Sequence, residues 1–175
     1  RGKAVLFDGS ATWEWDGASW ILRRPVHSPQ KRDQSAMAYD SARGKVVLFG
    51  GYKYGESSGI TSETWEWDGN DWTLLEPSHQ PPARFRHAMA YDSDRERVVL
   101  FGGAIDYQTM ITAATWEWDG TDWTLCEHIH QPAKRADHAM AYDTVQRRVV
   151  LVGGVPSTEF AETWEWDGTD WALRN

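Results

Sequence analysis

All twelve tryptophans of this chain fall in four copies of one phrase, Trp-Glu-Trp-Asp-Gly-x-x-Trp, at positions 13–20, 65–72, 116–123 and 164–171. The first tryptophans of successive copies are 52, 51 and 48 residues apart. A fixed period of this size marks a repeat architecture, in which a single unit cannot bury its apolar faces and stacked neighbours do so. The 175 residues therefore read as one domain of repeated units, approximately 1–27, 28–79, 80–130 and 131–175.

The third unit serves as the pattern. His87-Ala88-Met89-Ala90-Tyr91-Asp92 reads as a short strand A, and Ser93-Asp94-Arg95-Glu96 as a turn. Val98-Val99-Leu100-Phe101, stopped by Gly102-Gly103, reads as a strand B buried on both faces, because it is short, continuous and β-branched. Thr115-Trp116-Glu117-Trp118 is strand C, Asp119-Gly120 a tight turn with glycine at positive φ, and Asp122-Trp123-Thr124-Leu125 strand D. No segment carries a 3.6-residue period, so an all-β chain is expected. Each unit is predicted to be a four-stranded antiparallel meander, A innermost. Both of its faces are apolar, and stacking such units around an axis gives a β-propeller.

The residues resemble kelch repeats. The resemblance rests on Arg84/His87 and Arg135/His138 at the start of A, on Gly50-Gly51, Gly102-Gly103 and Gly153-Gly154 closing B, and on the aromatics of C and D. It covers nearly the whole chain and implies a kelch-type β-propeller whose first blade lacks its innermost strand. Two positions depart from the pattern, Ser35 for the histidine and Asp8-Gly9 for the glycine pair, and the C–D turn is short for the family. Trp-rich repeats of this kind look bacterial, which suggests a secreted or periplasmic setting.

Arg1–Phe7 aligns with Arg43–Phe49, so the first unit starts inside its A–B turn, and the strands expected are three of A and four each of B, C and D. The open inner edge and the two apolar end faces point to association. Three arrangements follow: a piece of a larger ring, copies that join (for example a dimer closing one ring), or closure alone with an imperfect blade.

Candidate sites are weighed against that frame. Glu14, Glu66, Glu117 and Glu165 repeat in every unit, whereas a catalytic carboxylate pair should be unique, so a structural role is expected, paired with an Arg or a backbone N–H of the adjacent unit. The tryptophans are expected to pack between units. His27, His79 and His130 share one position in His-x-Pro-x-x-Arg, so they spread around a ring and do not converge on an ion. His128 and His130 stand two apart, with no acidic third ligand, and a metal needs three or four ligands. Cys126 alone allows neither a disulfide within the chain nor a cysteine cluster, and its counterparts are Leu75 and Leu173 or their neighbours. No metal and no cofactor is expected. The net charge of −8 argues against a general binder of nucleic acid or anionic membranes, and no apolar run is long enough to span a bilayer.

What refuses to repeat is the B–C loop. The first is Gly9-Ser10-Ala11, while the second, third and fourth carry Tyr52-Lys53-Tyr54-Gly55-Glu56, Asp106-Tyr107-Gln108 and Phe160. In such a unit the B–C and D–A connections emerge on one face, and insertions there commonly mark the binding side. Tyr52, Lys53, Tyr54, Glu56, Asp106, Tyr107, Gln108 and Phe160 are accordingly the candidate ligand or partner residues. The leading expectation is a non-catalytic scaffold that binds a protein or glycan. The alternatives are part of a kelch-like enzyme, oxidase or sugar-modifying, with active residues partly outside the chain, and an engineered or amplified repeat fragment that self-assembles. No Ser-His-Asp order, phosphate loop or copper-type Tyr/His/Cys constellation is present.

Overall fold

A computed structural model describes residues 2–55, 59–106, 110–155 and 162–174. Among them there is no helix. The first unit holds β1 (Ala4–Phe7), β2 (Thr12–Trp15) and β3 (Trp20–Arg23). The second holds β4 (Arg32–Asp33), β5 (Ala36–Asp40), β6 (Lys45–Phe49), β7 (Tyr52–Lys53), β8 (Gly59–Ile60), β9 (Thr64–Trp67) and β10 (Trp72–Leu75). The third is β11 (Ala88–Asp92), β12 (Arg97–Phe101), β13 (Thr115–Trp118) and β14 (Trp123–Cys126), and the fourth β15 (Ala139–Asp143), β16 (Arg148–Val152), β17 (Thr163–Trp166) and β18 (Trp171–Arg174). Five antiparallel sheets result: the expected meanders, three-stranded in the first unit and four-stranded in the others, and a small β4-β7-β8 sheet that periodicity did not foretell. No sheet closes on itself.

Register puts the two faces of each unit to different uses. In the third unit Val98 pairs with Trp118 and Leu100 with Trp116 on one face, while Val99 pairs with Glu117 and Phe101 with Thr115 on the other. The Trp face of each unit lies against the Thr/Glu face of the unit before it. The core is therefore three separate layers between units. The layer between the second and third units contains Val47, Phe49, Met89, Val98, Leu100, Trp118 and Trp123. Its neighbours contain Phe7, Val46, Leu48, Trp67 and Trp72 on one side and Val99, Phe101, Val149, Leu151, Trp166 and Trp171 on the other. In each layer a Phe from the earlier unit meets the second buried Trp edge-on, Phe7 with Trp72, Phe49 with Trp123 and Phe101 with Trp171, at centroid distances of 5.9, 5.2 and 5.2 Å.

Buried indoles need acceptors. Trp72, Trp123 and Trp171 donate to the hydroxyls of Thr12, Thr64 and Thr115 in the preceding unit, at 2.7, 2.9 and 2.9 Å. Trp67, Trp118 and Trp166 donate to Glu14, Glu66 and Glu117, again one unit back, at 3.3, 3.4 and 2.8 Å. The repeated glutamate is thus an inter-unit acceptor, with one correction to expectation. Its cation comes from its own unit, and its cross-unit partner is an indole. Arg43 reaches Glu66 and Arg95 reaches Glu117 from the A–B turns, both at 2.6 Å. In the end units Glu14 and Glu165 take Arg23 and Arg174 from the close of strand D, where the inner units carry Leu75 and Cys126. Cys126 is partly buried against the third core layer, and burial pushes its thiol up to about 12.

Surface ties repeat with the same step. The ring nitrogen Nδ1 of His27, His79 and His130 faces the last aspartate of the next unit's C–D turn, Asp71, Asp122 and Asp170, each at 2.7 Å. His128 turns instead to the Thr115 hydroxyl at 3.1 Å and the Trp166 ring, so it does not join His130. Glycine at the close of strand B is required by close approach. A Cβ on Gly50 or Gly102 would lie 2.6 or 2.5 Å from the carbonyl oxygen of Arg84 or Arg135 in the next unit.

Candidate binding face

The B–C loops and the ends of the D–A connections gather on one face, built on three buried arginines. Arg32, Arg84 and Arg135 each donate Nε to the carbonyl two residues back, at 3.0, 3.1 and 3.0 Å. Each also donates Nη1 to the first glycine after strand B of its own unit, Gly50, Gly102 and Gly153, at 3.2, 3.0 and 2.9 Å. The guanidinium therefore locks the start of strand A to the root of the B–C loop. The next residue pairs with that loop: Asp33 with Tyr52, Phe85 with Ala104, and Ala136 with Val155.

The residue after that, Gln34, Arg86 or Asp137, has φ of 55°, 61° or 55°. A non-glycine residue in this left-handed region is uncommon and is held there only by its surroundings. Here the hold is a backbone chain across units. The Arg86 N–H donates to the Gln34 carbonyl at 3.0 Å and the Asp137 N–H to the Arg86 carbonyl at 2.9 Å. An Arg86–Asp137 ion pair runs alongside.

One position further, His87 and His138 are buried with neither ring nitrogen hydrogen-bonded. Each ring sits edge-on to the phenylalanine of the preceding unit, Phe49 or Phe101, at 5.6 Å. Burial, with the charges of Arg84 and His138 behind it, depresses His87 to about 3. Burial and Arg135 depress His138 to about 4. Both rings are neutral over the physiological range.

The loop residues themselves are unequally placed. Tyr54 is exposed, its hydroxyl donating to Asp33 at 2.6 Å and its carbonyl accepting from Gln30 at 2.6 Å. Half-buried Tyr52 meets it edge-on, with centroids 5.0 Å apart. Tyr54, Asp33, Lys31, Asp8 and Ser10 line a shallow cleft beside the first unit. Lys53 is committed to a salt bridge with Glu63 at 2.7 Å, which leaves it less able to greet a ligand than its sequence position suggests. Asp106 is half-buried and accepts the Met110 N–H at 2.8 Å. Glu56, Tyr107, Gln108 and Phe160 lie outside the described residues. Among the described residues, the face joins Tyr52, Tyr54 and Asp33. The left-handed residues Gln34, Arg86 and Asp137 were missed from sequence. Their signal was the fixed spacing after each buried arginine, legible only as a fold marker.

Compared with known proteins, the chain matches no family model and no curated sequence.

Proposed function

We propose that the chain is a non-catalytic scaffold of kelch-like units, arranged as in a β-propeller, that binds a protein or glycan partner through its B–C loop face. The observation that carries this reading is the Tyr52–Tyr54 pair. The exposed Tyr54 is held on that face by its hydroxyl bond to Asp33 and its carbonyl bond from Gln30, and Tyr52 meets it edge-on. Ordered aromatics with a polar tip suit recognition, because they offer contact area at small entropic cost. Against a panel of immobilised glycans and candidate proteins, the parent chain should retain ligands that the Tyr52→Ala/Tyr54→Ala variant releases, at an unchanged thermal midpoint. Undiminished binding by the variant would sink the loop-face reading.

A second reading concerns the ends. The first unit's Trp face carries Leu6, Trp20 and Leu22 exposed, and the last unit's opposite face exposes Val152 with Thr163 half-buried. These two surfaces are the halves of the junction used three times inside the chain. We infer that copies associate head to tail, as in a homodimer that closes one ring. Sedimentation that gives a monomer at all accessible concentrations would exclude this.

A further inference from the structure

The third unit lacks a carboxylate that the second and fourth units have, and the first unit carries Ala11 at the same position. The residue before the threonine that opens strand C is Glu63 in the second unit, Glu162 in the fourth and Ala114 in the third. Both glutamates seat one oxygen between the same two donors. Glu63 Oε2 accepts Arg32 Nη2 at 2.5 Å and Trp65 Nε1 at 3.0 Å. Glu162 Oε2 accepts Arg135 Nη2 at 2.7 Å and Trp164 Nε1 at 3.2 Å. In the first unit Asp8 takes the indole, accepting Trp13 Nε1 at 2.8 Å.

The donors persist in the third unit. Arg84 is 1 % exposed and keeps its Nε and Nη1 bonds, but its Nη2 finds no acceptor among the described residues. Trp116 Nε1 is buried and has no partner among the described residues. The backbone around the gap is unchanged. Ala114 O accepts the Gly102 N–H at 3.2 Å as Glu63 O accepts Gly50 at 3.0 Å. The Ala114 N–H meets the Thr112 hydroxyl at 3.1 Å as Glu63 meets Thr61 at 3.2 Å. A buried guanidinium without its anion and a buried indole without its acceptor are each destabilising, and here they face the same place.

We propose that Arg84 and Trp116 form a binding site for a carboxylate supplied from outside the chain, seated where Glu63 and Glu162 seat theirs. The group missing from the third unit, by which glutamate exceeds alanine, is CH2–COO⁻, which is an acetate. Ile105 stands where Lys53 adds a second cation in the second unit, so one positive charge remains and a monoanion matches it. The side chains of Glu63 and Glu162 are 26 % and 28 % exposed and Ala114 is half-buried, so a carboxylate seated at this position reaches solvent. A free small carboxylate and the carboxylate of a peptide present the same group. The site stands whether or not the tyrosine loop docks a partner.

The test is a heteronuclear NMR titration at constant ionic strength that follows the Trp116 indole N–H, assigned with Trp116→Phe. Sodium acetate should move that signal saturably while the other buried indoles stay still. A peptide with a glutamate side chain competing with acetate would point to a macromolecular source, and acetate alone acting would point to a free one. The Ala114→Glu variant supplies the anion internally, as in the second and fourth units. Its indole should start at the acetate-saturated position, lose the acetate response and accompany a higher thermal midpoint. Ala114→Gln, isosteric and neutral, should give the smaller indole shift. A Trp116 signal indifferent to acetate and peptide, or an Ala114→Glu variant that still responds like the parent, overturns the proposal. Tighter response to inorganic phosphate than to acetate overturns the carboxylate assignment.

Discussion

Trp20 and Trp123 occupy the same place in the same eight-residue phrase, yet Trp20 is 47 % exposed and Trp123 1 %. Their strand C partner is the same: each lies across from the other strand tryptophan, Trp15 or Trp118, at 5.7 and 5.5 Å. The difference is the unit before. Trp123 has Thr64 and Phe49 to receive it, with Glu66 receiving Trp118 beside it, while the indole of Trp20 has no acceptor among the described residues. The phrase is therefore half of an interface, and the core of this chain is made between units. Truncation should expose this most strongly. In the dissociated chain, Trp123→Ala removes a fully enclosed ring and should cost about 3–5 kcal/mol, whereas Trp20→Ala should cost under about 1 kcal/mol. Chemical denaturation of both variants measures the contrast. Equal losses would mean that the first unit's Trp face is covered in solution, as head-to-tail association requires.

Protonation separates the junctions in another way. His87 lies between the second and third units and His138 between the third and fourth, while the corresponding residue of the second unit is Ser35. Both histidines have folded values far below the ordinary 6.5, about 3 and about 4, because burial beside Arg84 or Arg135 disfavours the cation. The unfolded chain binds their protons first. Their contribution is complete above the unfolded value and is lost as pH falls from there toward the folded value. Each should remove about 2 kcal/mol between about pH 7 and pH 5, before the carboxylates begin to titrate. Glu63, which burial raises but Lys53, Arg32 and Trp65 together hold down to about 2, gives way only at still lower pH. Denaturant midpoints at the two pH values should converge in His87→Phe/His138→Phe. An unchanged slope in that variant would assign the acid response elsewhere.

The indole acceptors extend the comparison at smaller scale. Thr64→Val keeps shape but strands the buried Trp123 N–H, and should cost about 1–3 kcal/mol. In the dissociated chain Thr163→Val makes the same change on the last unit's open face, where no following tryptophan is present, and should be close to neutral. A comparable cost at Thr163 would show that face to be occupied.

Much of this was legible in the sequence, and the boundary is physical. Strands, the C–D turn and the glycine pair follow from local pattern, since a β-branched run, an Asp-Gly and a double glycine each restrict their own backbone. The side of the sheet taken by Glu66 was readable from alternation. Its partner was not, because Trp118 lies 52 residues away across a junction that no local pattern describes. Lys53 read as a ligand residue because its loop breaks the repeat, and only geometry shows that Glu63 engages it. The missing carboxylate at Ala114 is visible when the units are compared. It means something only once Arg84 and Trp116 are known to point at it.

The A–B turns give the smallest effect and the sharpest control. Gly44, Glu96 and Arg147 occupy one turn position at φ of 66°, 55° and 58°. A side chain there costs about 1–2 kcal/mol of left-handed strain, partly offset because glycine loses more freedom on folding. Glu96→Gly and Arg147→Gly should each stabilise by about 0.5–1 kcal/mol. Arg147 also pairs with Asp94, but an exposed ion pair is worth little. The strain is local to the turn and owes nothing to the neighbouring unit. The gain should therefore be the same in the third unit, enclosed on both sides, and in the fourth, open on one. Thermal melts of the two variants decide it. A gain confined to the third unit would mean that even the turns take their conformation from the stack, through the unit that follows.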